Sequence, residues 1–163
     1  MTDVVLDPMK ELHVPQIMAI ERDIFDTPWT EEMFRQEIRG IFGSHATVAM
    51  MKDKVVGYQV AWFIEDEVHL VNIAVAPNHQ ARGIGTLLLN HLIEQSLATG
   101  KVIITLEVRV GNSIAQAFYR RFFFRAIGVR RSYYSDNLED ALLMVLDLAG
   151  SMQRRNIGEG KIS

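Results

Sequence analysis

The sequence predicts an α/β fold with a mixed, mostly antiparallel sheet flanked by helices, in the order β α α β β β α β α β β. Three observations carry this. Strand-like runs between His45 and Val75 are separated by short polar turns, the mark of antiparallel neighbours. A glycine-punctuated loop then opens a segment with helical periodicity. Beyond it stand a run of β-formers, a helix with a capping residue and two further strands.

Val4 to Leu6 reads as a short strand that Asp7-Pro8 ends. Pro15 suits the first turn of a helix, where its missing N–H costs nothing, and Ile17, Ile20 and Ile24 follow at helical spacing. Thr27-Pro28-Trp29 breaks that helix. Thr30 caps the next, with Glu31 and Glu32 in its electropositive first turn and Met33, Phe34 and Ile38 on its apolar face. Gly40 and Gly43 end it. Three strands follow, His45 to Met51, Val55 to Phe63 and Val68 to Val75, the last stopped by Pro77. After the loop from Asn78 to Gly85, a helix runs to about Thr99, with Ile84, Leu87, Leu88, Leu92 and Leu97 on its buried side. Val102 to Val110 is a strand. Asn112-Ser113 opens a helix through about Phe122. Two strands, near Ile127 to Tyr134 and Ala141 to Leu148, enclose the loop SDNLED. One domain is expected over residues 1–148, with 149–163 a flexible tail.

Composition narrows the function. Of 163 residues, 48% are hydrophobic and 23% charged, which excludes a disordered or fibrous chain. A net charge of −3 supplies no field for a nucleic-acid backbone. Cysteine is absent, so there is no thiolate nucleophile and no disulfide framework. No apolar run reaches the roughly 18–20 residues of a membrane span, and the N-terminus lacks an export pattern. A cytoplasmic protein is expected. Histidines 13, 45, 69, 79 and 91 are not paired at metal-ligand spacing, so no metal is expected.

Four groups of residues can carry chemistry. Gln80, Ala81, Arg82, Gly83, Ile84, Gly85 and Thr86 lie between a strand and a helix, where tight backbone and free helix N–H groups favour a phosphate. An ordinary turn explains the same glycines. Neither a Walker loop nor a Rossmann fingerprint fits, because Thr86-Leu87 follows Gly85 and Leu88 occupies the third small position. Glu107 stands inside an apolar strand, where burial would raise its pKa and tune it for proton transfer; an ion pair with Arg109 on the same strand face is the plainer reading. Tyr119 is either a core tyrosine or a proton donor, and Asn112 either an N-cap or a ligand contact. Pro28, Trp29, Tyr133 and Tyr134 are plain packing or the walls of a groove for an extended peptide.

In this order the motifs resemble the GCN5-related N-acetyltransferase (GNAT) superfamily, over about residues 2–148. Gln80, Gly83 and Gly85 meet its Q/R-x-x-G-x-G/A marker. Pro28-Trp29, Asn72-Ile73-Ala74-Val75, Leu106-Glu107-Val108-Arg109, Asn112, Tyr119 and Arg131-Ser132-Tyr133-Tyr134 look like its RimI type, which acts on ribosomal-protein alanine. The resemblance implies acetyl-CoA as cosubstrate, with its pyrophosphate on the glycine loop and its pantetheine arm along the main chain of Ile73, Ala74 and Val75. It implies Glu107 as general base and Tyr119 as general acid. The partner would be a protein N-terminus, an alanine of a small-subunit ribosomal protein; the alternatives are acetylation of a small-molecule amine or a lysine, or a non-catalytic module that binds coenzyme A. One departure stands out. The family usually has Leu-Gly-Phe after the tyrosine helix, whereas here the residues are Phe122-Phe123-Phe124, so a different helix end is expected.

Overall fold

The computed structural model describes residues 3–150. Its strands are β1 (Val4–Pro8), β2 (Ser44–Met51), β3 (Lys54–Ile64), β4 (Glu67–Val75), β5 (Ile103–Arg109), β6 (Arg125–Arg130) and β7 (Ala141–Asp147). Its helices are α1 (Val14–Ile24), α2 (Glu31–Ile38), α3 (Ile84–Ala98) and α4 (Ser113–Arg121). The expected order of strands and α-helices is the observed one. Short 3-10 turns at Glu11–His13, Ile41–Gly43 and Pro77–His79 add to it. Hydrogen bonding orders the strands β1-β2-β3-β4-β5-β7-β6. Two compact units are distinguished: one holds residues up to Ile64 together with Leu70–Leu92, the other Glu65–His69 and the chain from Ile93 onward. Most of the expected tail, residues 151–163, lies outside the described residues.

In the first unit β1, β2 and β3 form an antiparallel meander. The register shifts between Ala49 and Met50, which pair with Gly57 and Val55, so Val56 is the extra residue of a bulge. A bulge reverses the facing of the residues beyond it. Val55, Tyr58 and Val60 therefore join one core cluster with Ile17, Met18 and Phe34, while Val56 joins another with Ala49, Ile84 and Leu88. Gly57 lies beneath α3: a Cβ there would meet the Ala74 carbonyl at 3.0 Å and side-chain carbons of Ile84 and Leu88 at 3.3 and 3.4 Å. Thr30 caps α2 as expected, its hydroxyl accepting the Met33 N–H at 3.2 Å. Two helix faces differ from expectation. Met33 and Leu87 are exposed, at 40% and 36%, and Leu89 and Ile93 are buried instead. α3 carries more apolar positions than one stripe holds, so packing selects among them.

In the second unit β5 pairs with β7 antiparallel, and β7 with β6. The first residues of β4 pair with β5 in parallel, placing His69 opposite Thr105. β6 starts at Arg125 and ends at Arg130, shorter than the strand expected through Tyr134. Ser132 and Leu138 take positive φ, and Asp140 Oδ1 accepts the Ser132 N–H at 2.8 Å, so the chain turns off the ladder before the tyrosines.

The end of α4 corrects the expectation drawn from Phe123. Phe123 takes φ +71°, the left-handed conformation of the missing glycine. The Phe124 N–H donates to the Tyr119 carbonyl at 3.2 Å and the Phe123 N–H to that of Arg120 at 3.0 Å, the two bonds of a Schellman cap. Phe124 is buried, and its burial together with the two bonds holds the phenylalanine in a conformation it disfavours. Phe123 itself is exposed. Phe123→Gly is therefore expected to stabilise the protein by about 0.5–1 kcal/mol, since relief of the left-handed strain exceeds the entropy glycine adds to the unfolded chain. Thermal denaturation should show a rise of roughly 1–4 °C. An unchanged or lower midpoint would mean that the ring packs favourably.

Candidate active site

The glycine loop belongs to the first unit. The Gln80 amide donates to the Val75 carbonyl at 3.1 Å and ties the loop to the end of β4. Ala81 has φ +60° and Gly83 φ +83°. Among the described residues no heavy atom lies within 4 Å of a Cβ built on Gly83, so the space beside its backbone is open. The Leu87 N–H donates to the Gly83 carbonyl at 3.0 Å, the first bond of α3, leaving the N–H groups of its first turn without intrahelical partners. Ala81, Arg82 and Thr86 are exposed. Ile84 differs: its side chain is 2% exposed and packs in the core, so only its main chain can serve a ligand. Ile73 and Val75 pack against that same cluster, and Ala74 belongs to the other.

Pro28 and Trp29 are half-buried between α1 and α2. The Trp29 ring packs on Phe34, with centroids 5.1 Å apart, and Phe34 meets Tyr58 edge-on at 5.6 Å. The Trp29 N–H donates to Glu21 Oε1 at 3.1 Å.

Glu107 belongs to the second unit. Its side chain is 10% exposed, and both carboxylate oxygens are engaged. His69 Nε2–H donates to Oε2 at 2.6 Å, and Arg130 Nε lies 3.3 Å from Oε1. The His69 hydrogen bond holds the carboxyl below its ordinary pKa; burial opposes this, and the charges of His69 and Arg130 add to the lowering. Two expectations are thereby corrected. The pKa is lowered rather than raised, because hydrogen bonding and charge outweigh desolvation. The ion pair with Arg109 is not formed. Arg109 shares the strand face but turns to the loop between β6 and β7, with its guanidinium 2.7 Å from Asp136, 3.1 Å from Asn137 and 3.3 Å from Glu139. It also stacks over the Tyr134 ring, 3.9 Å from the centroid.

Tyr119 is 8% exposed, between Phe118 at 5.4 Å and Phe124 at 5.7 Å. Burial, and then the neighbouring Tyr134, push its phenol above the ordinary range. Tyr133 and Tyr134 meet edge-on at 5.0 Å in the loop. Burial raises both phenols; that of Tyr134 reaches about 12, with Arg109 opposing the shift. Glu107 adds to the rise in each, so the carboxylate and the tyrosine pair share one electrostatic environment. Asn112 is the N-cap of α4, its side chain accepting the Ala115 N–H at 3.1 Å. The aromatic residues expected to wall one groove fall in different units, Pro28 and Trp29 in the first and Tyr133 and Tyr134 in the second.

Sequence reasoning missed His69 and Arg130 as partners of Glu107. The spacing of the histidines bears on metal binding and not on an ion pair between strands. The available signal was a polar side chain in the apolar alternation of β4.

Residues 14–124 match the model of the acetyltransferase (GNAT) family. A Salmonella typhimurium protein named as a ribosomal protein bS18-alanine N-acetyltransferase is 33% identical over 143 residues, 83% of this chain and 92% of that one. An Escherichia coli protein of the same name is 30% identical over 146 residues, 88% and 97% of the two chains. A crystal structure of the Escherichia coli ribosomal-protein-S18-alanine N-acetyltransferase superposes with a TM-score of 0.81 at 31% identity, covering 89% of this chain and 94% of that one.

Proposed function

This chain belongs to the acetyltransferase (GNAT) family, and from that premise we propose that it transfers acetyl from acetyl-CoA to the α-amine of a protein N-terminus in the cytoplasm. The acceptor is an alanine of a small-subunit ribosomal protein. The names of relatives that align over nearly their whole length support this choice. The observation that carries the reaction is the Glu107 carboxylate, nearly buried and held between His69 and Arg130.

The residues fit the cosubstrate. Gly83 at φ +83° leaves open space where a side chain would stand, and the first turn of α3 offers N–H groups and a partial positive charge to a pyrophosphate. Gln80 to Thr86 would hold that group, and the main chain of Ile73, Ala74 and Val75 the pantetheine arm; Asn112 is occupied as a cap. Acetyl-CoA supplies an activated thioester. Glu107 takes the proton of the attacking amine, its carboxylate held in place by the hydrogen bond from His69 Nε2–H. Tyr119 keeps its proton at neutral pH and gives it to the departing thiolate. The chain lacks cysteine, which agrees with direct transfer without a thioester on the enzyme.

A magnitude favours the N-terminus over lysine. An α-amine with pKa about 7.7–8 needs about 1 kcal/mol to lose its proton at pH 7, and a lysine near 10.4 more than about 4. A carboxylate held below its ordinary pKa is a weak base, suited to the first and not the second. The test is a competition between short peptides starting with Ala, Ser, Met or Leu and a peptide with a blocked N-terminus and a free lysine. Ala and Ser are expected to lead and the blocked peptide to be nearly inert. Faster acetylation of the lysine would overturn the N-terminal reading.

A further inference from the structure

Glu21 is a buried charge for which the proposed reaction has no use. It is 1% exposed on α1, within the first unit. Oε1 accepts the Trp29 N–H at 3.1 Å. Oε2 accepts the hydroxyl of Tyr58. The Asn72 amide lies 3.4 and 3.3 Å from the two oxygens. All three donors are neutral. Removing a carboxylate from water costs several kcal/mol, and well-packed apolar residues often do as well or better for stability. Stability alone is therefore a poor reason for this group.

Its partners suggest another. Trp29 is the aromatic residue of the loop between α1 and α2, held by its backbone N–H and, through its ring, by Phe34. Phe34 packs on Tyr58, the second donor. Asn72 immediately precedes the strand residues assigned to the pantetheine arm. One carboxylate thus gathers the acceptor loop, the sheet beneath it and the cosubstrate strand. We infer that Glu21 is a positioning residue that fixes the Trp29 loop relative to the Asn72–Val75 strand and thereby sets selectivity for the first residue of the acceptor. This rests on the reading of the preceding subsection. A carboxylate suits the task because its two oxygens are acceptors only and meet all three donors; a glutamine presents an NH2 to at least one of them.

The experiment compares Glu21→Gln, Glu21→Asp and Tyr58→Phe. Losing one hydrogen bond to a charged group corresponds to about tenfold or more. In Glu21→Gln the preference for an alanine over a leucine peptide, as a ratio of kcat/KM, should fall by about that factor, with KM for acetyl-CoA unchanged. Glu21→Asp keeps the charge and withdraws its reach, and should also lose selectivity should the glutamine variant not fold. Tyr58→Phe keeps the Trp29 bond, so it should lower Tm and retain the ratio. A second readout needs no turnover. In a Trp62→Phe background, acrylamide quenching of Trp29 fluorescence should increase in Glu21→Gln. Selectivity and quenching both unchanged in a folded variant would reduce Glu21 to a core residue. Should the unmodified enzyme leave every peptide untouched, the proposed function falls, and Trp29 quenching still decides whether Glu21 holds the loop.

Discussion

Glu107→Gln is expected to lower kcat/KM for an N-terminal peptide by about 10²–10⁴-fold, the usual cost of removing a general base. The substitution keeps the shape of the side chain and one hydrogen-bond acceptor toward His69 or Arg130, so the fold should survive. The pH dependence is informative because of the direction of the pKa shift. The His69 hydrogen bond lowers the Glu107 pKa, which moves its protonation to lower pH. The carboxylate is then charged throughout pH 6–9, and raising the pH within that window recruits no further base from it. The ratio of wild-type to variant activity should accordingly stay constant from pH 6 to 9, because titration of the substrate amine cancels in the ratio. A ratio that grows with pH would mean that Glu107 itself titrates within that window, with its pKa raised rather than lowered. Unchanged activity would leave Glu107 as a structural ion-pair partner of Arg130.

Tyr119→Phe should lower kcat by about 10²-fold or more and leave KM for both substrates nearly unchanged, since a proton donor acts on the leaving group and not on binding. Burial holds the phenol above its ordinary range, with Tyr134 adding to the shift. It is therefore protonated throughout pH 6–9, and the variant's defect should not titrate in that window. The ring itself stays between Phe118 and Phe124, so packing is preserved. A phenylalanine variant with normal kcat and a melting point several degrees lower would make Tyr119 a core residue whose hydroxyl matters to stability.

The sequence by itself determined the order of the strands and α-helices, because each rests on local signals. Pro15 starts α1 and Thr30 caps α2. Pro77 follows the end of β4, and Asn112 caps α4. The sequence also singles out Glu107, a lone carboxylate in an apolar strand, and Tyr119 on the following helix as candidates, while the roles proposed for them come from the family resemblance. Tertiary structure decided what these residues touch. His69 meets Glu107 because β4 and β5 pair in parallel, a contact across 38 residues that no local pattern contains. The loop that carries Tyr133 and Tyr134 off the sheet also holds Asp136 and Glu139, which pair with the Arg109 guanidinium in place of Glu107. The pKa of Glu107 moved opposite to expectation for the same reason. Burial can be guessed from neighbours in the chain, but the hydrogen bond and charge that outweigh it come from residues distant in sequence. Phe123 shows the converse. Local propensity disfavours its left-handed backbone, and the cap forms nonetheless because the buried Phe124 and two main-chain bonds hold the turn.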